Sequence, residues 1–190
     1  MKIQIEKCLP LSLTGFIILA DQLVKAFIVK NWPNMGLISD VFKNDVLWIY
    51  HVRNKAIAFS LGENLPEAVR PVIFIITPVL VLCFLIWYYF KSDEFTKLQR
   101  WAAAGIIGGG FGNIIDRIFR PDGVVDYISV KFYGFLGFDR WPTFNIADAS
   151  VVVCCFILVI SLIITPQKKQ EIQTVNSQSD SQIKEIQNDE

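Results

Sequence analysis

Two stretches of this chain cannot be accommodated by a water-soluble fold. "PVIFIITPVLVLCFLIWYYF" (71–90) and "VVVCCFILVISLIIT" (151–165) contain no charged residue. A helix of about twenty apolar residues spans the roughly 30 Å of hydrocarbon in a bilayer. Two further segments, about 98–119 and about 8–29, have the same length but carry ionisable residues. The pattern predicts an α-helical integral membrane protein, a four-helix transmembrane bundle with spans at about 8–29, 69–90, 98–119 and 146–165. Lys2 and Lys7 ahead of "LPLSLTGFIILA" have the look of a secretory signal. No A-x-A-type cleavage site follows, and Leu23, Val24, Phe27 and Ile28 resume the apolar run, so an uncleaved span is expected.

Four spans put both termini on one side and two long connections, about 30–68 and 120–145, on the other. "DVLWIYHVRNKAIAFSL" is rich in β-branched and aromatic residues and reads as one or two strands broken around Asn54. "PDG" is a turn signal, and "VVDYISVKF" after it is again strand-like. A small extramembrane β element is therefore expected on the side of the long loops. "NWPNMGLISDVF" (31–42) looks amphipathic and is expected to lie on the membrane as part of a gate. Residues 1–165 form the membrane domain. From 166 to 190 a Gln-, Ser- and Glu-rich stretch cannot bury a core and is expected to be a disordered polar tail.

Charge and composition remove several function classes. Lys and Arg number 18 against 18 Asp and Glu, so no bulk basic charge recommends a nucleic-acid partner. The only histidine, His51, cannot build a histidine-based metal site alone, and Cys8, Cys83, Cys154 and Cys155 lack metal-ligand spacing. No metal or other cofactor is called for. Positive charges flanking the spans are nearly balanced between the two sides, with a slight edge to a cytoplasmic location for the termini.

Ionisable residues at membrane depth are costly and usually functional or paired. Here they collect at one boundary. Asp21 and Lys25 lie toward the end of the first span; Asn113, Asp116 and Arg117 end the third; Asn145 and Asp148 open the fourth; Asn54 and Asp126 lie in the long connections. Asp21 and Lys25, four apart, are expected to pair on one helix face, and Asn113, Asp116 and Arg117 share another. Asp116 and Arg117 read equally as an ion pair or as residues that orient the site. Asn145 and Asp148 have the spacing of a helix cap and a first-turn acid. Ala104, Gly108 and Gly112 form a small-residue stripe that admits a neighbouring helix. A transporter would spread its polar groups through the membrane depth, and a non-enzymatic assembly factor would tolerate loss of either acid. Crowding at one face favours hydrolysis instead. Two carboxylates sharing a proton supply a base for water and an acid for the amide carbonyl, with neighbouring amides and Arg117 as donors to the substrate. Which acid holds the proton stays open at this level.

The motifs "DQLVK", "RNKAIAFS", "GNIIDR", "VVDYI" and "FNIADA", in that order on a four-span chain, resemble lipoprotein signal peptidase (signal peptidase II). The resemblance covers about residues 10–165. It implies a bacterial intramembrane aspartic peptidase that removes signal peptides from prolipoproteins, cutting before a diacylglyceryl-modified cysteine. It implies Asp126 and Asp148 as the catalytic pair, with Asn54, Asn113, Arg117 and Asn145 as polar site residues and Asp21, Lys25 and Asp116 in support. It further implies residence in the cytoplasmic (inner) membrane among lipids, cytoplasmic termini, and a site near the outer leaflet. Ala56 stands where the family usually has glycine, which predicts a differently shaped loop if that position needs positive φ. Tyr127 replaces a frequent phenylalanine.

Overall fold

The computed structural model describes residues 5–55, 66 and 68–164. The predicted tail and the position of Ala56 lie outside the described residues. A short turn α1 (Ile5–Cys8) leads through Pro10 into α2 (Leu11–Asn31), which stops at Trp32, the residue before Pro33, whose backbone (φ −131°, ψ 72°) has left the helical region. A π-turn (Val72–Ile76) runs into α3 (Thr77–Lys91), and after a tight turn comes α4 (Lys97–Phe119). Thr96 opens α4 with a complete capping box, its hydroxyl taking the Gln99 N–H while the Gln99 side chain takes the Thr96 N–H. The last helix, α5, covers Ile146–Ile164.

Three of these helices, Leu11–Asn31, Val72–Lys91 and Ile146–Ile164, are long and apolar enough to cross a membrane. The fourth expected span, α4, has 23 residues but is not apolar enough to join them: five glycines, Asn113, Asp116 and Arg117 dilute its apolar stretch. The burial pattern is inverted relative to a soluble protein. Asp21, Lys25 and Asp116 are completely buried, whereas Leu19, Leu23, Phe27, Leu80, Phe84, Val152 and Phe156 are exposed. Apolar faces of that extent are stable only against lipid.

Small residues on α4 bring its neighbours close. A Cβ on Gly108 would meet Thr14 and Ile17 of α2 at 3.1 Å, and one on Gly109 would stand 2.3 Å from the Ala147 carbonyl of α5. Thr14 Oγ1 and Ser150 Oγ donate to the adjacent Ala104 and Gly105 carbonyls from the two sides. The expected Ala104–Gly108–Gly112 stripe therefore faces α2, and Gly105 and Gly109 form a second stripe toward α5.

A three-stranded antiparallel sheet, order β1–β2–β3, sits at the end of the bundle where α2 and α4 finish and α5 begins. β1 is Gly36–Asp40, β2 Leu47–Asn54 and β3 Val124–Val130. The first connection supplies β1 and β2 and the second supplies β3, so the two long connections do meet on one side. Within the segment 31–42, expected as an amphipathic surface piece, Gly36–Asp40 forms the edge strand β1. Its apparent amphipathicity is the period-two alternation of a strand, Leu37 exposed and Ile38 half-buried. Only one strand forms up to Asn54, and the residues after Lys55 lie outside the described set. Val125 and Tyr127 of β3 pack with Ile28 of α2, surrounded by Val24, Ile49 and Ile146, which fastens the sheet to the helix ends.

Candidate functional site

Every polar residue singled out from the sequence arrives at this junction. Asp126 lies on β3 opposite Val52 of β2, which places Asn54, two residues further along β2, on the same face. Asn54 Nδ2 donates to Asp126 Oδ2 at 3.0 Å, and Asn145 Nδ2 donates to Oδ1 at 2.8 Å. Asp148 Oδ1 accepts from Asn113 Nδ2 at 2.7 Å, and its Oδ2 accepts the Asn145 backbone N–H at 3.2 Å. The Asn145 side-chain oxygen, Oδ1, in turn accepts the Asp148 N–H at 2.9 Å. Asn145 is thus a helix cap, as its spacing suggests, and also the residue that joins both aspartates.

Three donors at the start of α5 are capped by three different segments. The Ile146 N–H goes to Tyr127 Oη (3.2 Å), the Ala147 N–H to Asp21 Oδ1 (3.1 Å) and the Asp148 N–H to Asn145 Oδ1. Orphan amides of a helix N-terminus need such partners when buried. Satisfying them from β3, α2 and the preceding loop locks Asp148 in place.

Beneath the aspartates lies a closed charge network. Lys25 Nζ contacts Asp21 Oδ2 at 2.7 Å, Asp116 Oδ2 at 3.1 Å and Asn113 Oδ1 at 3.1 Å, which uses all three donors of an ammonium. The Asp21–Lys25 pair is as the spacing predicts. Asp116 does not pair with Arg117. It pairs with Lys25 and with Arg120, and its Oδ2 accepts the Val125 N–H at 3.1 Å. Adjacent helix positions diverge by about 100°, so Arg117 cannot face Asp116, whereas Arg120 at i+4 does. Arg117 instead lies over the ring of Phe74, 5.3 Å from its centroid.

Two members of this network are absent from the sequence reading. Arg120 follows Asp116 by the same four-residue rule that identifies Asp21 and Lys25. Gln22 carries no such signal. It reaches sideways from α2, donating to the Gly112 carbonyl (2.9 Å) and Asp116 Oδ1 (3.0 Å) and accepting from Arg120 (3.2 Å).

Burial, reinforced by the negative charge of Asp148, pushes Asp126 up from the ordinary carboxylate range to about 7, against the lowering effect of its bonds from Asn54 and Asn145. Asp126 is only 2% exposed, so desolvation is the cause that dominates. Burial also raises the Tyr127 phenol, which leaves its hydroxyl neutral. If Asp126 and Asp148 share one proton, the site is neutral, with Lys25, Arg117 and Arg120 balancing Asp21, Asp116 and the pair.

Three apolar helices, with a buried carboxylate cluster where the small sheet meets the helix ends, define a multi-pass membrane protein. A family model described as signal peptidase (SPase) II matches residues 13–164. The lipoprotein signal peptidase of Treponema pallidum (strain Nichols) is 43% identical over 166 residues, covering 85% of this chain and 87% of that protein. That of Treponema denticola is 43% identical over 164 residues (86% and 94%), and that of Borreliella burgdorferi (strain ZS7) 40% over 144 (76% and 83%). A solved bacterial membrane enzyme, determined by the in meso method at 2.3 Å resolution, superposes with a TM-score of 0.69 at 25% identity, covering 84% of this chain and 90% of that one. The chain belongs to the signal peptidase II family, and with it to the membrane peptidases.

Proposed function

We propose that the protein removes signal peptides from diacylglyceryl-modified prolipoproteins by two-aspartate hydrolysis, cutting before the lipidated cysteine. The observation that carries this reading is the bridging of Asp126 and Asp148 through one residue, Asn145, in a buried site at the end of an apolar bundle. Asp126, pushed up to about 7, holds the shared proton near neutral pH. Asp148, already accepting two N–H donors at the start of α5, acts as the base. It takes a proton from the attacking water while Asp126 donates to the carbonyl oxygen of the scissile amide. Asn54, Asn113, Asn145 and Arg117 hold the pair and orient the substrate backbone. Asp21, Lys25 and Asp116 anchor the strands and helix that present it.

Location follows from the substrate. A signal peptide is an apolar helix and the lipid chains remain in the bilayer, so the scissile bond lies at the interface. The reading takes α4 as a fourth span whose charges are internal to the bundle. It places both termini in the cytoplasm and the sheet and site near the outer leaflet of the inner membrane, with residues 1–165 as the working peptidase unit. The test is cleavage of a diacylglyceryl-modified precursor and its unmodified form by wild type, Asp126→Asn and Asp148→Asn. Cleavage of the lipidated form alone, lost in both folded variants, is expected. Near-normal cleavage by either variant overturns the two-aspartate mechanism.

A further inference from the structure

Arg117 is half-buried beside the candidate pair, and Asp148, Asp126 and Asp116 all act on it electrostatically. Among the described residues it nevertheless makes no ion pair and no hydrogen bond; its guanidinium lies over the Phe74 ring, 5.3 Å from the centroid. Lys25, Asp21, Asp116 and Arg120, by contrast, are all engaged with one another. A guanidinium within electrostatic reach of carboxylates often closes onto one of them through a bidentate pair. An aromatic face attracts the cation without consuming any of its five N–H donors.

The chain builds that platform on purpose-shaped backbone. Pro78 near the start of α3 has no N–H, and its ring would crowd the Phe74 carbonyl in a regular α-helix. The preceding turn widens into a π-turn, in which the Thr77 N–H and hydroxyl both bond the Val72 carbonyl. Within that turn Val72 and Ile76 face outward, while Phe74 is 5% exposed and packs inward under Arg117.

We propose that Phe74 is a positioning residue: its ring holds the Arg117 guanidinium off the two aspartates and leaves its donors for the substrate's peptide carbonyls. The inference rests on the two-aspartate reading above. Without the ring, Arg117 falls onto Asp148 or Asp126, favours the ionised pair, and spends donors that the substrate would have used. The acid form is then lost at lower pH, and substrate binds less well.

The experiment compares kcat, KM and the pH profile of kcat/KM for wild type, Phe74→Leu and Phe74→Tyr on a lipidated precursor. Phe74→Leu keeps bulk without a π face. It is expected to move the alkaline limb about one unit toward acid and to raise KM about fivefold or more. Phe74→Tyr keeps the face and stays near wild type. Among the described residues, Asp21 and Lys25 on α2, Asp116 and Arg120 on α4, and Tyr127 on β3 are further titratable or charged groups facing the site. They are common to all variants, so a moved limb reports Arg117. An unmoved limb in Phe74→Leu, whatever its activity, overturns the proposal, as does Phe74→Tyr shifting as far as Phe74→Leu. Should Phe74→Leu fail to fold, the volume-conserving Phe74→Met takes its place. Wild-type cleavage by Asp126→Asn or Asp148→Asn would sink the underlying mechanism separately, whatever the Phe74 variants do.

Discussion

Lys25 Nζ lies 3.1 Å from Asn113 Oδ1, and that contact decides which way the Asn113 amide faces. An ammonium only donates, so the amide must turn its oxygen to Lys25 and its nitrogen to Asp148, 2.7 Å away. A buried charge on one helix thereby sets the hydrogen-bonding sense of a side chain that touches the candidate base. The same lysine joins Asp21, which holds the N–H before Asp148, to Asp116, which holds the N–H before Asp126.

Removing that lysine leaves Asp21 and Asp116 buried without their shared counter-charge. Lys25→Met is expected to destabilise the protein by about 3–5 kcal/mol, the usual effect of orphaning a buried charge. Thermal unfolding in detergent measures it. Retention of wild-type stability would mean that water or Arg120 already compensates the two acids.

The pH dependence of cleavage has a definite sign. In the proposed two-aspartate mechanism Asp126 is the acid and works only while protonated, so kcat/KM is expected to fall as pH rises through about 7. Stability runs the same way. The folded value lies above the ordinary 3.8, so this contribution is fully present below the unfolded value and is lost as pH rises through about 7. Unfolding between pH 4 and 9, wild type against Asp126→Asn, checks the slope. A wild-type curve that rises through this window relative to the variant would contradict the assignment.

Two glycines offer a matched contrast. An alanine Cβ at Gly109 would stand 2.3 Å from the Ala147 carbonyl, which is backbone and cannot swing aside. Gly109→Ala should push the start of α5 away, with it Asp148, and cost on the order of 2 kcal/mol or more together with most of the activity. Gly15 on α2 has nothing within 4 Å of the same added atom. Gly15→Ala should be neutral or stabilising by up to about 1 kcal/mol through helix propensity. Equal effects of the two substitutions on melting temperature would refute the packing argument.

Tyr127→Phe removes the acceptor of the Ile146 N–H and nothing else in the α5 cap. With Ala147 and Asp148 still capped, the expected loss is about 1 kcal/mol and activity falls only a few-fold. A collapse in activity would give the Tyr127 hydroxyl a larger part in the site.

Much of the site is legible one helix at a time. The four-residue spacing of Asp21 and Lys25 and the three-residue spacing of Asn145 and Asp148 are local facts, and both pairs form as expected. Asp116 shows the limit. Its neighbour Arg117 is the obvious partner in the sequence, yet helix geometry turns the two apart and gives Asp116 to Arg120 and Lys25. The strand β1 was obscured for a related reason, since five residues of alternation inside a twelve-residue window look merely amphipathic.

The sequence by itself determined three of the apolar spans, the two strand-forming segments of the long connections and the crowding of polar residues at one end. Those properties depend on residue type and on periods of 3.6 and 2, which are read within a single segment. Only the tertiary structure decided that Asn54 and Asn145 reach the same carboxyl, that Asp21 caps α5, that Gln22 closes the charge network, and that Phe74 lies under Arg117. Each of those contacts joins separate elements. Their partners are chosen by close packing at glycines, by strand register, and by the requirement that every buried donor and charge find a mate.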